Sequence, residues 1–153
     1  MRHAITAAAL ALLFALPLAS CSSGGARSTA ALAVPAKTPA SLNELRRANG
    51  RAPISRDRGL DRLAAEHSAN MARAGRMSHS AGQRFSRRMR AAGLGRAAEN
   101  IARGQRNVPA VMAAWARSPG HRRNMLDAGM TRYGLASVRG RDGRLYWTMI
   151  LAK

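Results

Sequence analysis

The chain has 153 residues and 26 basic side chains, of which only Lys37 and Lys153 are lysine, against seven acids, for a formal charge of +19. One cysteine excludes a disulfide framework within the chain. The six aromatics are not interleaved with the arginines as a single-strand binding platform requires, so no nucleic-acid partner is expected. The charge favours anionic partners such as lipid headgroups or wall polymers, although arginines spread along the whole chain also describe an ordinary solvated surface.

Met1-Arg2-His3 precedes a run from Ala4 to Leu18 that is apolar apart from Thr6, and Leu18-Ala19-Ser20-Cys21 follows. A basic start, an apolar run shorter than the ~20 residues of a membrane span, and small residues at its end predict a secretory signal over residues 1–20. The Leu-Ala-Ser-Cys run resembles the lipobox of bacterial lipoproteins, in which the cysteine is acylated and becomes the first residue of the mature chain. The plainer reading is ordinary cleavage that leaves Cys21 as a spare thiol. Acylation at Cys21 implies an exported, lipid-anchored envelope protein, held at the outer membrane if the cell has one, because Ser22 follows the cysteine. Residues 21–38, rich in Ser, Gly, Ala, Pro and Thr, predict a flexible tether spanning roughly 23 Å. Residues 39–153 suit one small domain, expected as a monomer.

Thr38-Pro39 can start a first helix that turns Leu42 and Leu45 inward and stops at Asn49-Gly50. The second, from about Asp57 to Ala74, places Leu60, Leu63, Ala64, His67 and Met71 on one face and ends at Gly75. His67, on that apolar stripe, reads as a core histidine with its hydrogen bonds satisfied. Phe85–Ala92 and Val108–Arg117 make two more helices, the latter carrying Val111, Met112 and Trp115. Ser118-Pro119 starts a fifth that runs to Leu126 and holds His121 in its first turn. Tyr133–Val138 and Leu145–Leu151 read as a hairpin closed by Asp142-Gly143, with a third strand within Glu99–Gln105. Helices first and strands last predict an α+β domain with helices packed on a small sheet.

Three polar islands carry the remaining chemistry: His79-Ser80, Glu99-Asn100 and Gly120-His121-Arg122-Arg123-Asn124. Together with Leu42-Asn43-Glu44-Leu45-Arg46, Ala65-Glu66-His67-Ser68-Ala69-Asn70-Met71-Ala72 and Trp115-Ala116-Arg117-Ser118-Pro119, and with the closing Tyr133-Gly134 and Tyr146-Trp147-Thr148, their order resembles the bacterial branch of the CAP superfamily. That superfamily holds cysteine-rich secretory proteins, antigen 5 and pathogenesis-related 1 proteins. The resemblance spans about Ser41 to Lys153. It implies an α-β-α sandwich with a small antiparallel sheet, and a cleft lined by two histidines and two acids that binds a divalent metal in some members. Carried over by motif, the cleft residues here are His79, Glu99 and His121. The fourth position, a glutamate in eukaryotic members, is Ser118, a replacement common among bacterial ones.

Two imidazoles and one carboxylate are donors that suit zinc and leave a position open for water. The same three residues can instead form a chain of hydrogen bonds that pins loops over the sheet, with Glu99 pairing an arginine. Asn100 and Asn124 read as hydrogen bonders of a loop and a helix end. Ser118 and Ser80, beside His121 and His79, are the nearest nucleophile candidates, yet no Gly-x-Ser-x-Gly elbow is present. The leading expectation is an anchored binding protein that takes a lipid or other envelope ligand in the cleft, as some members of the superfamily do. The alternatives are a metal-assisted hydrolase using His79, Glu99 and His121, and a structural envelope protein adhering to anionic polymers.

Overall fold

The computed structural model of the chain describes residues 41–153, so the expected secretory signal, acylated Cys21 and tether lie outside the described residues. The elements are α1 (Leu42–Ala48), β1 (Ser55–Arg56), α2 (Arg58–Ala74), α3 (Phe85–Ala91), β2 (Ala97–Arg103), α4 (Val108–Arg117), α5 (Pro119–Leu126), β3 (Arg132–Arg139) and β4 (Leu145–Ala152).

Side-chain oxygens set three of the helix starts. Ser41, Asp57 and Asn107 sit in extended backbone and accept from the N–H groups of Glu44, Leu60 and Ala110, each satisfying a donor that has no partner inside its helix. Ser41 caps α1 at Leu42, while the helix start expected at Thr38-Pro39 lies outside the described residues. Pro109 and Pro119 occupy the first turns of α4 and α5, where a missing N–H costs nothing. Gly75, left-handed with φ 63°, ends α2 as its position suggests.

The sheet runs β1-β3-β4-β2, with β3 and β2 antiparallel to β4. The hairpin pairs from Arg132↔Ala152 to Arg139↔Leu145, so β3 extends past both of its expected ends and β4 past its last expected residue. β1 escaped sequence reading because it is two exposed residues. It is a strand only because Ser55 and Asp57 N–H donate to the Thr131 and Tyr133 carbonyls at 3.0 and 2.8 Å.

Central strand β4 is buried on both faces, which explains its unbroken apolar run. Tyr146, Ile150 and Ala152 pack with Leu60, Ala64 and Met71 of α2 and Met89 of α3. Trp147, Met149 and Leu151 pack with Leu42 and Leu45 of α1, Val111, Met112 and Trp115 of α4, and Met125 of α5. Thr148, on the α2 side, receives the Ser68 hydroxyl at 2.9 Å. The sheet thus lies between two helical layers, as an α-β-α sandwich requires. β3 approaches α2 so closely at Gly134 that a Cβ there would lie 2.1 Å from the Leu60 carbonyl carbon.

Strand β2 lies at the end of the sheet, and an exposed edge of this kind invites misassembly. Helices α4 and α5 cover it. The Trp115 indole N–H donates to the Ile101 carbonyl at 3.0 Å, and the Asn124 amide reaches the Glu99 carbonyl at 3.5 Å.

Candidate functional site

Alternation along β2 gives the Glu99-Asn100 pair two different neighbourhoods. Glu99 turns towards α2 and α3, whereas Asn100 turns towards α5, where its amide donates to the His121 carbonyl at 3.1 Å and its oxygen accepts from Asn124 at 2.9 Å. The two asparagines, expected as local hydrogen bonders, together join α5 to the edge strand.

The Glu99 side chain is 2% exposed and both of its oxygens are engaged. Oε1 accepts from His79 Nδ1 at 2.9 Å, and Oε2 from the Arg88 guanidinium at 2.7 Å. A carboxylate can only accept, so this bond places a proton of His79 on Nδ1. The His79 side chain is 54% exposed. Arg88 also donates to the carbonyls of Gln83 and His79, at 3.2 and 3.3 Å, and lies over the Phe85 ring. One guanidinium therefore fixes both the carboxylate and the loop that carries the histidine.

Arg88 was not singled out in the sequence, where Glu99 was expected only to meet some arginine. A signal existed: Arg88 falls three residues after Phe85 and beside Met89, on the buried stripe of α3. An arginine on such a stripe needs a carboxylate partner.

His67 corrects a second expectation. It is fully buried, as its place on α2 predicts, but neither ring nitrogen makes a hydrogen bond of normal geometry. Its Nε2 lies 3.6 Å from Glu99 Oε1, too far for a normal bond. Burial lowers its pKa, Glu99 counteracts this, and the charges of Arg88 and His79 lower it further. His121 is also lowered, by burial and then by the charge of His79. The His121 ring is tilted by 56° against Trp115 at 6.4 Å between centroids.

Both depressions have one sign. Where the folded pKa lies below the unfolded value of about 6.5, protons favour the unfolded chain. Stability contributed by neutral His67 and His121 is complete above that value and declines as pH falls below it. The depressed aspartates, Asp57, Asp127 and Asp142, act only in a more acidic window. We expect the urea midpoint to fall between pH 7 and pH 5, and His67→Gln to remove part of that slope. A midpoint constant over this range would contradict the assignment.

Ser118 is a backbone joint between α4 and α5. Its N–H donates to the Trp115 carbonyl and its carbonyl accepts from Arg122 N–H at 2.8 Å, while its side chain caps nothing. Among the described residues, neither the Ser118 nor the Ser80 hydroxyl bonds an imidazole, so no nucleophile–base pair is assembled. Nor does any group of three His, Cys, Asp or Glu side chains among them have the arrangement to hold a metal ion. Glu99 is tied to a guanidinium and an imidazole, so the expected zinc set of His79, Glu99 and His121 does not fit a three-ligand centre. Two imidazoles remain.

The profile of the family described as "CAP: Cysteine-rich secretory protein family" matches residues 40–151. No curated protein matches the chain. Among solved structures, an outer surface protein from Borrelia burgdorferi superposes with a TM-score of 0.66 at 19% identity, covering 73% of this chain and 86% of that one. An extracellular protein containing a SCP domain from Bacillus anthracis gives a TM-score of 0.64 at 23% identity, covering 73% of this chain. A cysteine-rich secretory protein from Staphylococcus aureus gives 0.60 at 18%, covering 72%. The chain spans only 37% and 35% of the length of those last two proteins. The sandwich and a family match over almost the whole described domain lead to one assignment: the chain belongs to the cysteine-rich secretory protein, or CAP, family.

Proposed function

We infer that this CAP domain is an exported binding module of the cell envelope, tethered through Cys21, that takes a lipid or another envelope ligand at the cleft between His79 and His121. One observation carries the reading. Both oxygens of Glu99 are committed to holding Arg88 and His79, which makes the carboxylate a positioning group and not a base open to substrate. What the site offers a ligand is the exposed His79 ring and a half-buried His121 whose pKa is lowered by burial. An imidazole held in one tautomer is a directed acceptor for a hydroxyl or N–H group. The outer-surface, extracellular and secretory relatives support export of this chain.

Mass spectrometry of the protein from its native cell tests the reading, because it reports acylation of Cys21 and any retained small ligand together. A retained ligand that disappears in both His79→Ala and His121→Ala is the expected result. Retention in both variants would place the ligand elsewhere and sink the reading.

A metal-dependent reading keeps one point in its favour: a carboxylate on Nδ1 is the arrangement that orients metal-ligating histidines. With two imidazoles as the available donors, calorimetry should show zinc binding weaker than at structural sites. Tight binding abolished by His79→Ala would instead favour the hydrolase.

A further inference from the structure

A hollow of about 660 Å³ opens beside α5, lined by Arg51, Pro119, Arg122, Arg123, Asn124 and Leu126 with Asp127 and Ala128. Arg51 comes from the α1–β1 connection, and Arg122 and Arg123 from adjacent positions of α5. Arg122 donates to the Asn49 side chain at 2.7 Å. Among the described residues, Arg51 and Arg123 have no acidic partner, and both are exposed.

The single acid of the hollow is already engaged. Asp127 receives two bonds from Arg96, at 2.9 and 3.0 Å, and one from the Gly129 N–H at 2.8 Å. A further positive charge, Arg46, also adjoins the hollow. It is 1% exposed and donates to the carbonyls of Ala52, Met125 and Asp127, with no carboxylate bonded to it. Burial first, and then the nearby Arg51 charge, hold this guanidinium below its usual pKa, with Asp127 opposing. Arg51, Arg122 and Arg123 thus line one concave site whose single carboxylate is taken up by Arg96, while other carboxylates pair Arg56, Arg88, Arg103 and Arg132 elsewhere in the domain.

We propose that the Arg51–Arg122–Arg123 hollow is a binding site for a phosphate ester, the group shared by phospholipid headgroups and phosphodiester-linked envelope polymers. Guanidinium forks match phosphate oxygens in pairs and stay charged at any working pH. The Pro119 and Leu126 surfaces give the glycerol or sugar that carries the phosphate an apolar wall. The site goes beyond the cleft reading and uses neither His79 nor His121, so failure of one leaves the other standing.

The test titrates the full chain with glycerol 3-phosphate by calorimetry and sediments it with phosphatidylglycerol vesicles. Arg51→Ala/Arg123→Ala should weaken binding by about ten-fold in at least one arm, and the corresponding Arg→Lys pair should recover only part of it, because charge returns without the fork. Arg141→Ala/Arg144→Ala, which removes equal charge from the exposed β3–β4 turn, should change affinity by less than about two-fold. A loss in both arms identifies the phosphate ester itself as the ligand, and a loss confined to vesicles or to the soluble ester identifies its source. No binding in either arm, or equal loss from the two double variants, overturns the proposal.

Discussion

Arg88→Met is expected to lower the unfolding free energy by about 3–5 kcal/mol, the range for removing one partner of a buried ion pair. The cause is the isolation of Glu99, whose side chain is 2% exposed and would keep only His79 as a bonded partner. The same substitution releases the carbonyls of Gln83 and His79, so the loop that presents the cleft imidazole loosens with the core. Urea denaturation of wild type, Arg88→Met, Glu99→Gln and the double variant separates these effects. The double variant should recover part of the sum of the single losses, because no buried charge is then left without its counter-ion. Additive losses would show that the two side chains act independently.

Gly134→Ala should be comparably damaging, at about 3 kcal/mol or more, through overpacking against main chain. The added carbon would fall 2.1 Å from the Leu60 carbonyl carbon and 2.3 Å from the Asp61 nitrogen. A flexible side chain could move aside, but these are backbone atoms in the first turn of α2, held by the Asp57 cap and by the Asp61 bond to Leu135 N–H at 2.9 Å. Relief therefore requires α2 to lift from the sheet, which would uncover Leu60, Ala64 and His67 together. Thermal unfolding measures the effect, with Gly143→Ala as a comparison, since nothing lies within 4 Å of its added carbon and only its positive φ is strained. A melting point lowered no more by Gly134→Ala than by Gly143→Ala would refute the close-approach argument.

These effects show why some features were readable in advance. Caps and periodicity operate within a few residues, so the lengths of α4 and α5, the stop at Gly75 and the turn at Asp142-Gly143 follow from local chemistry. The motif pieces also placed His79 and Glu99 together, because their pairing follows from the family order. Arg88 was harder to find. Its helix has several arginines, and only the packing of α3 on the sheet decides which of them meets the carboxylate.

His67 makes the same point from the other side. Its burial is legible in the apolar spacing of α2, but whether a buried ring finds partners depends on atoms brought from β2 and the His79 loop. Strand β1 exists only because β3 passes beside it.

By itself the sequence determined the helices, the three longer strands and the packing of helices on a small sheet, and it brought His79 and Glu99 to one place. Each of these depends on interactions over one or two turns or on an ordered set of motifs. Only the tertiary structure decided the chemistry. Alternation along β2 sent Glu99 to Arg88 and Asn100 to α5, both carboxylate oxygens became engaged, and the arginines of α1, the following loop and α5 converged beside a hollow. The physical reason is that hydrogen-bond saturation and local potential depend on groups distant in the chain meeting within a few ångströms.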